Sequence, residues 1–232
     1  MEHKPRPLID LLLSIVVPSV ILMKFSDDSD LGASGALILA LAFPIGWGLY
    51  ELIRFKITNY IALLGLVSVL LTGSIGLLRL DAQWLAVKEA AIPAILGTAV
   101  LISAWVGHPL IKKLLYNPKV LNTVRIEQIL REQGHSEVFD GRLLKATYFL
   151  SGTFFFSAVM NYWLAKWIVI SPTGSAAFNE ELGQMTLMSY PIIAIPSMVM
   201  MLAIFYFLWR SVHGLTGLKF EEIMAPSLTD DK

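Results

Sequence analysis

The chain has 232 residues, 56% of them hydrophobic and 16% charged, with a mean hydropathy of +0.66. A soluble domain runs nearer about 45–50% apolar and about 25% charged, so composition speaks against a single water-soluble core, a nucleic-acid binder or a disordered scaffold. Eighteen Lys and Arg balance eighteen Asp and Glu, and cysteine is absent, so no global field draws an anionic partner and thiolate chemistry, disulfides and Cys-based zinc sites are excluded.

Crossing the hydrocarbon of a bilayer takes about 20 mostly apolar residues in a helix rising about 1.5 Å per residue. Six runs qualify: 8–25, 33–53, 60–78, 85–106, 146–170 and 187–209. They are continuous rather than alternating and too long for barrel strands, which predicts an all-α, polytopic transmembrane helix bundle. The first run follows His3, Lys4 and Arg6 as a signal peptide would. However, Asp10 interrupts it and Lys24-Phe25-Ser26-Asp27-Asp28 offers no small-x-small cleavage pattern, so it reads as a retained span. The connections after spans two and three are short, which makes those neighbours antiparallel. In span three, Gly65, Ser68, Gly73 and Gly76 suit close helix packing.

Between spans four and five, residues 107–145 form a cytoplasmic segment with a short amphipathic helix. There Val124, Ile126, Ile129 and Leu130 alternate with Arg125, Glu127, Arg131 and Glu132, before Gly134 as a C′ stop. Such a helix either lies on the inner leaflet or covers the inner end of the bundle, and both readings stand. The segment 171–186 is an outer loop without Lys or Arg, 216–224 suits a second short surface helix, and 225–232 is a disordered tail. Residues 1–224 thus make a single integral membrane domain. Placing both termini in the cytoplasm puts fourteen of the eighteen Lys and Arg inside; the exceptions are Lys24, Arg79, Lys88 and Lys166.

Charges in mid-bilayer cost about 2.5–3.5 kcal/mol on insertion scales, so depth decides which polar residues matter. Asp10, Glu51 and His108 fall at inner ends, where water reaches them. Arg79, Asp81, Gln83, Lys88, Glu89, Asn161 and Lys166 fall in the outer half. If spans three, four and five adjoin, these would line a polar pocket open to the outer leaflet, suited to a lipid headgroup or an anionic solute. The structural alternative pairs Lys88 with Asp81 and Glu89 with Lys166, and bonds Asn161 to a backbone carbonyl. Pro18, Pro44, Pro93, Pro191 and Pro196 predict kinks, a pattern shared by transporter helices and by ordinary membrane packing. No HExxH, Gly-x-Ser-x-Gly, P-loop or dinucleotide fingerprint occurs, and His3, His108, His135 and His213 have no metal-ligand spacing, so neither an enzyme nor a cofactor is expected.

Five features stand out together: Asp10 opening the first span, the turn Lys56-Ile57-Thr58, the Lys88…Pro93…Gly97 spacing, the string His108-Pro109-Leu110-Ile111-Lys112-Lys113-Leu114-Leu115, and the Phe154-Phe155-Phe156 run leading to Asn161-Tyr162-Trp163-Leu164-Ala165. With them the chain resembles the intracellular septation protein A family of bacterial inner-membrane proteins, in a longer branch with an extra span. The family usually has Lys in place of His108, and the segments 118–142 and 171–186 are additions. The resemblance implies an inner-membrane protein that supports envelope maintenance and septation through division or wall-synthesis membrane proteins rather than by catalysis. Membrane lipids and a second copy of the chain are the other expected partners, and nucleic acid is not. A small transporter or lipid translocase using the outer polar set is the rival expectation.

Overall fold

A computed structural model describes residues 12–55, 60–114, 116 and 121–224. Asp10, the Lys56-Ile57-Thr58 turn, the side chain of Glu51 and the tail 225–232 lie outside the described residues. Every regular element among the described residues is helical. A wide π turn, Leu12–Val16, leads into α1 (Val17–Lys24), followed by α2 (Gly32–Phe55), α3 (Tyr60–Leu77), α4 (Gln83–Trp105), α5 (Leu110–Leu114) and α6 (Thr123–Glu132). Then come α7 (Ser136–Ile168), α8 (Ala176–Ser189), a second π turn (Tyr190–Ala194), α9 (Ile195–Thr216) and α10 (Phe220–Met224).

Four helical stretches among the described residues are long and apolar enough to cross a membrane: Gly32–Tyr50, Gln83–Trp105, Ser136–Ile168 and Ala176–Thr216. Leu12–Lys24 and Val67–Leu77 are apolar but shorter. Two helices run further than the apolar runs predict. α7 begins at Ser136 rather than at 146, because Phe139, Leu143, Ala146 and Leu150 continue a buried stripe at helical spacing while the charges stay on other faces. The expected outer loop at 171–186 is helical from Ala176 onward. Ser175 caps it, its hydroxyl accepting the Phe178 N–H at 3.1 Å, and Phe178, Leu182 and Met185 supply a buried face. Glu180 and Glu181 lower the hydropathy there without breaking that periodicity.

Local chemistry sets where helices stop and widen. At the end of α6, Gly134 takes φ +70°, its N–H donating to the Arg131 carbonyl and the His135 N–H to that of Leu130. This is a Schellman closure, placed where Gly134 predicts it. Gly107 closes α4 in the same way, and Arg79 closes α3 with φ +52°, the one non-glycine positive φ among the described residues. A proline follows the first π turn and another lies within the second. Pro18 and Pro191 carry no N–H and their rings crowd the carbonyl a turn back, which a widened turn relieves. The Tyr190 N–H donates to the Leu187 carbonyl, which Pro191 leaves without its usual donor.

The chain divides into two compact units, one comprising Met1–Ala91 and Val159–Ala194 and the other Ile92–Ala158 and Ile195–Lys232. In the first, α1 packs against α2 and α8, and α2 against α3. Gly73 and Gly76 allow that last contact: a Cβ on either would stand 2.6 or 2.5 Å from the side chain of Leu41 or Leu37. The core is Leu22, Ala36, Leu37, Ala40, Leu85, Leu164, Phe178 and Leu182, with neighbours. In the second unit, Ile126 and Leu130 of α6 are buried among Leu143, Leu208 and Val212. The amphipathic helix therefore turns its apolar face onto its own unit, as a packing helix does. Also in that unit, Ser151 donates to the Gly97 carbonyl at 2.9 Å. Burial, with Glu127 and Asp140 adding to it, pushes the Tyr116 hydroxyl well above its usual pKa.

Gly183 brings α8 up against the backbone of α1, since a Cβ there would lie 2.9 Å from the Ser19 backbone oxygen and 2.8 Å from Met23 Cγ. Gly183→Ala is expected to destabilise the protein by about 1–3 kcal/mol through overpacking, read as a lowered Tm in detergent. An unchanged Tm would contradict that backbone contact.

Candidate functional site

The polar residues that meet in space do so inside the first unit. Lys88 and Glu89 stand on successive positions of the second turn of α4, and the Lys88 ammonium contacts Glu89 Oε1 at 2.6 Å. Ser68 and Thr72, four residues apart and so on one face of α3, accept from the same ammonium at 3.1 and 2.7 Å. The Thr72 hydroxyl donates its own proton to the Ser68 carbonyl at 3.1 Å, so a lone pair is what it presents to Lys88. Three protons thus meet three close acceptors, which is the condition for withdrawing an ammonium from water without leaving a donor unmatched. The Lys88 side chain is 9% exposed and the Glu89 side chain 24%.

Beside this cluster lies a cavity of about 240 Å³. Its polar wall includes Lys88, Glu89, Asn161, Ser68 and Thr72, together with Ser14, Ser19, Thr186 and Ser189, and its apolar wall includes Leu41, Pro44, Leu164 and Leu182. Ser19 is 1% exposed, and its hydroxyl has no hydrogen-bond partner.

Of the outer-half residues singled out from sequence, Lys88, Glu89 and Asn161 come together around this cavity, and the others do not join them. Asp81 caps the start of α4, accepting the Gln83 N–H at 2.8 Å and the Gln83 side-chain amide at 3.2 Å. Lys88 therefore pairs with its neighbour Glu89 rather than with Asp81. Lys166 lies on the exposed face of α7, near the stacked Trp163 and Trp167 rings 5.0 Å apart. Arg79 is exposed and closes α3; its stem lies against the turn at Gly174, where a Cβ would stand 3.0 Å from Arg79 Cγ. His108 is exposed after Gly107, its Nδ1 3.1 Å from the Val106 carbonyl.

Three contributors escape a reading by hydropathy. Thr72 and Ser19 are small hydroxyls within apolar runs, although the four-residue spacing of Ser68 and Thr72 is the pattern that would mark a partner face for Lys88. Asn179, fully buried, donates to Ser26 Oγ at 3.1 Å and to the Ala33 carbonyl at 2.7 Å, latching α8 onto the α1–α2 turn. Among the described residues no group of His, Asp or Glu is placed to hold a metal ion. Comparison with protein-family models, with curated proteins and with solved structures gives no match.

Three substitutions separate charge pairing from backbone roles. Lys88→Met leaves Glu89 without its counter-charge and should cost about 2–3 kcal/mol, less than a fully buried pair because Glu89 keeps some solvent. Lys88→Met combined with Glu89→Gln should recover much of that loss, and additive losses in the double variant would contradict the pairing. Arg79→Gly should raise the Tm by relieving the left-handed cap, by about 1 kcal/mol; a lowered Tm would show that the arginine side chain contributes more than its backbone costs.

Proposed function

We propose that this chain is a non-enzymatic, multi-pass protein of the bacterial inner membrane, with six spans and both termini in the cytoplasm, that supports cell-envelope maintenance or septation through contacts with other membrane proteins. Four helical stretches of membrane-crossing length and apolarity support the membrane part of this reading, and the distribution of Lys and Arg supports the orientation. The shorter apolar helices Leu12–Lys24 and Val67–Leu77 fall within the first and third apolar runs of the sequence, which supports counting six spans. The resemblance to the septation protein A family supports the envelope role.

The observation that carries a contact-mediated role is the destination of the charge. Lys88 is satisfied by its own neighbour and by α3, so the strongest polar group of the bundle serves to hold helices together. Large apolar side chains such as Ile95, Val159 and Ile170 face outward, 67%, 65% and 77% exposed, and offer surface to lipid or to partner helices. The cavity beside Lys88 favours a second reading, a small transporter or lipid translocase, because pockets between kinked helices are where such proteins hold cargo.

Photo-cross-linking in living cells from Ile95 and Val159, each replaced in turn by a photoreactive residue, tests the first reading. Recovery of division or wall-synthesis membrane proteins is the expected result. Saturable flux of labelled lipid or solute in liposomes, with no such cross-links, would overturn it in favour of the second.

A further inference from the structure

We propose that the cavity of the first unit is a binding site for an uncharged polyhydroxyl group of about the size of one sugar ring, either a free sugar or polyol or the headgroup of a glycolipid. The proposal goes beyond both functional readings and rests on the cavity alone.

Charge comes first. Among the described residues, the charged side chains lining the cavity are Lys88 and Glu89, and they neutralise one another at 2.6 Å. An anion would need a cationic donor, but the three ammonium protons are matched by Glu89, Thr72 and Ser68. A cation would need an unbalanced carboxylate, and Glu89 already has its counter-ion; a second positive charge would leave the site with a net charge in apolar surroundings. An uncharged ligand meets neither penalty.

Hydrogen-bonding capacity narrows the class further. Thr186 donates its hydroxyl proton to the Leu182 carbonyl at 2.9 Å, and Ser189 donates to the Thr186 carbonyl at 2.7 Å. Both therefore turn lone pairs, not protons, toward the cavity they line. Pro44 carries no N–H, which leaves the carbonyl of Ala40, another lining residue, without its usual helical donor. The wall is thus rich in acceptors and calls for a ligand rich in donors. Ser19 is the independent sign: it is a lining residue, 1% exposed, and its hydroxyl has no partner in the protein. Such a group costs stability unless something it can bond arrives. A cluster of O–H groups, each able both to donate and to accept, fits Ser19 and the acceptors together. At about 240 Å³ the space lies just below the usual range for small-molecule sites, about 300–1,000 Å³, so one ring fits and a larger solute does not.

The test uses the full-length protein, purified in a detergent without a sugar headgroup and placed in phosphatidylcholine nanodiscs, with thermal unfolding as the readout. Free D-glucose and nanodiscs containing a monoglucosyl-diacylglycerol are the two positive arms. Inorganic phosphate and ethylammonium are the charged comparators. A saturable rise in Tm with glucose or with the glucosyl lipid is expected, and whichever arm saturates identifies the source. Ser19→Ala should leave the ligand-free Tm unchanged or higher, because an unmatched buried hydroxyl is removed, while weakening the ligand by about three- to tenfold. Thr186→Val, which removes an acceptor at nearly constant volume, should weaken it similarly. Stabilisation by phosphate or ethylammonium at lower concentration than by glucose, no stabilisation by either glucose source, or unaltered binding in both variants would overturn the proposal. None of these outcomes bears on cross-linking to envelope proteins, so this site and the contact-mediated role fail separately.

Discussion

An ammonium removed from water must find an acceptor for each of its protons and a counter-charge for itself, and that requirement organises the first unit around Lys88. The carboxylate comes from the next residue and the hydroxyls from α3, so a local pair is completed by a longer-range one. Completing it fixes α4 against α3 at a defined register, because Ser68 and Thr72 accept the ammonium only when that face of α3 turns toward it. The glycines at 73 and 76 let α2 close on α3, and α8 joins through Gly183 and Asn179. Polar matching and close approach are two aspects of one packing solution, since the hydrophobic drive that assembles a soluble core is weak between helices in an apolar solvent.

The same accounting explains why a cavity persists beside the pair. The hydroxyls of Thr186 and Ser189 bond within their own helix, as serine and threonine commonly do in apolar surroundings. Nothing is left in their donor capacity to draw neighbouring helices inward, and two prolines, Pro18 and Pro44, occupy the same wall. Collapse of the space would bury acceptors against acceptors. A site whose described charged side chains balance, but which is unevenly supplied with donors, stays open.

Much of the architecture was legible from the amino-acid order. The all-helical class and the Gly134 stop follow from run length and glycine placement, whereas depth along the helix left open whether Lys88, Glu89 and Asn161 share a cavity or pair elsewhere. Two things were not legible. Hydropathy started the fifth run only at 146 and placed a loop at 171–186, because charges at Arg142, Lys145, Glu180 and Glu181 depress a window average; a helix cares about which face the charge occupies, and Phe139, Leu143, Phe178 and Leu182 kept theirs apolar. The partner of Lys88 was also hidden. Asp81 stands seven residues before Lys88, just ahead of α4, and its carboxylate instead accepts the Gln83 N–H at the start of that helix. Backbone donors at a helix end compete for a carboxylate in a way that residue spacing alone does not reveal.

The central claim is that lipid, rather than water, covers the outward faces of these helices. The chain has no cysteine, so Ile95→Cys gives a single spin-label site on the exposed face of α4 without further engineering. Collision accessibility of that label in reconstituted bilayers, measured by electron paramagnetic resonance with dissolved oxygen and with a water-soluble nickel chelate, decides the matter. The account predicts frequent collisions with oxygen and almost none with the chelate. Ready access of the chelate to residue 95 would contradict it.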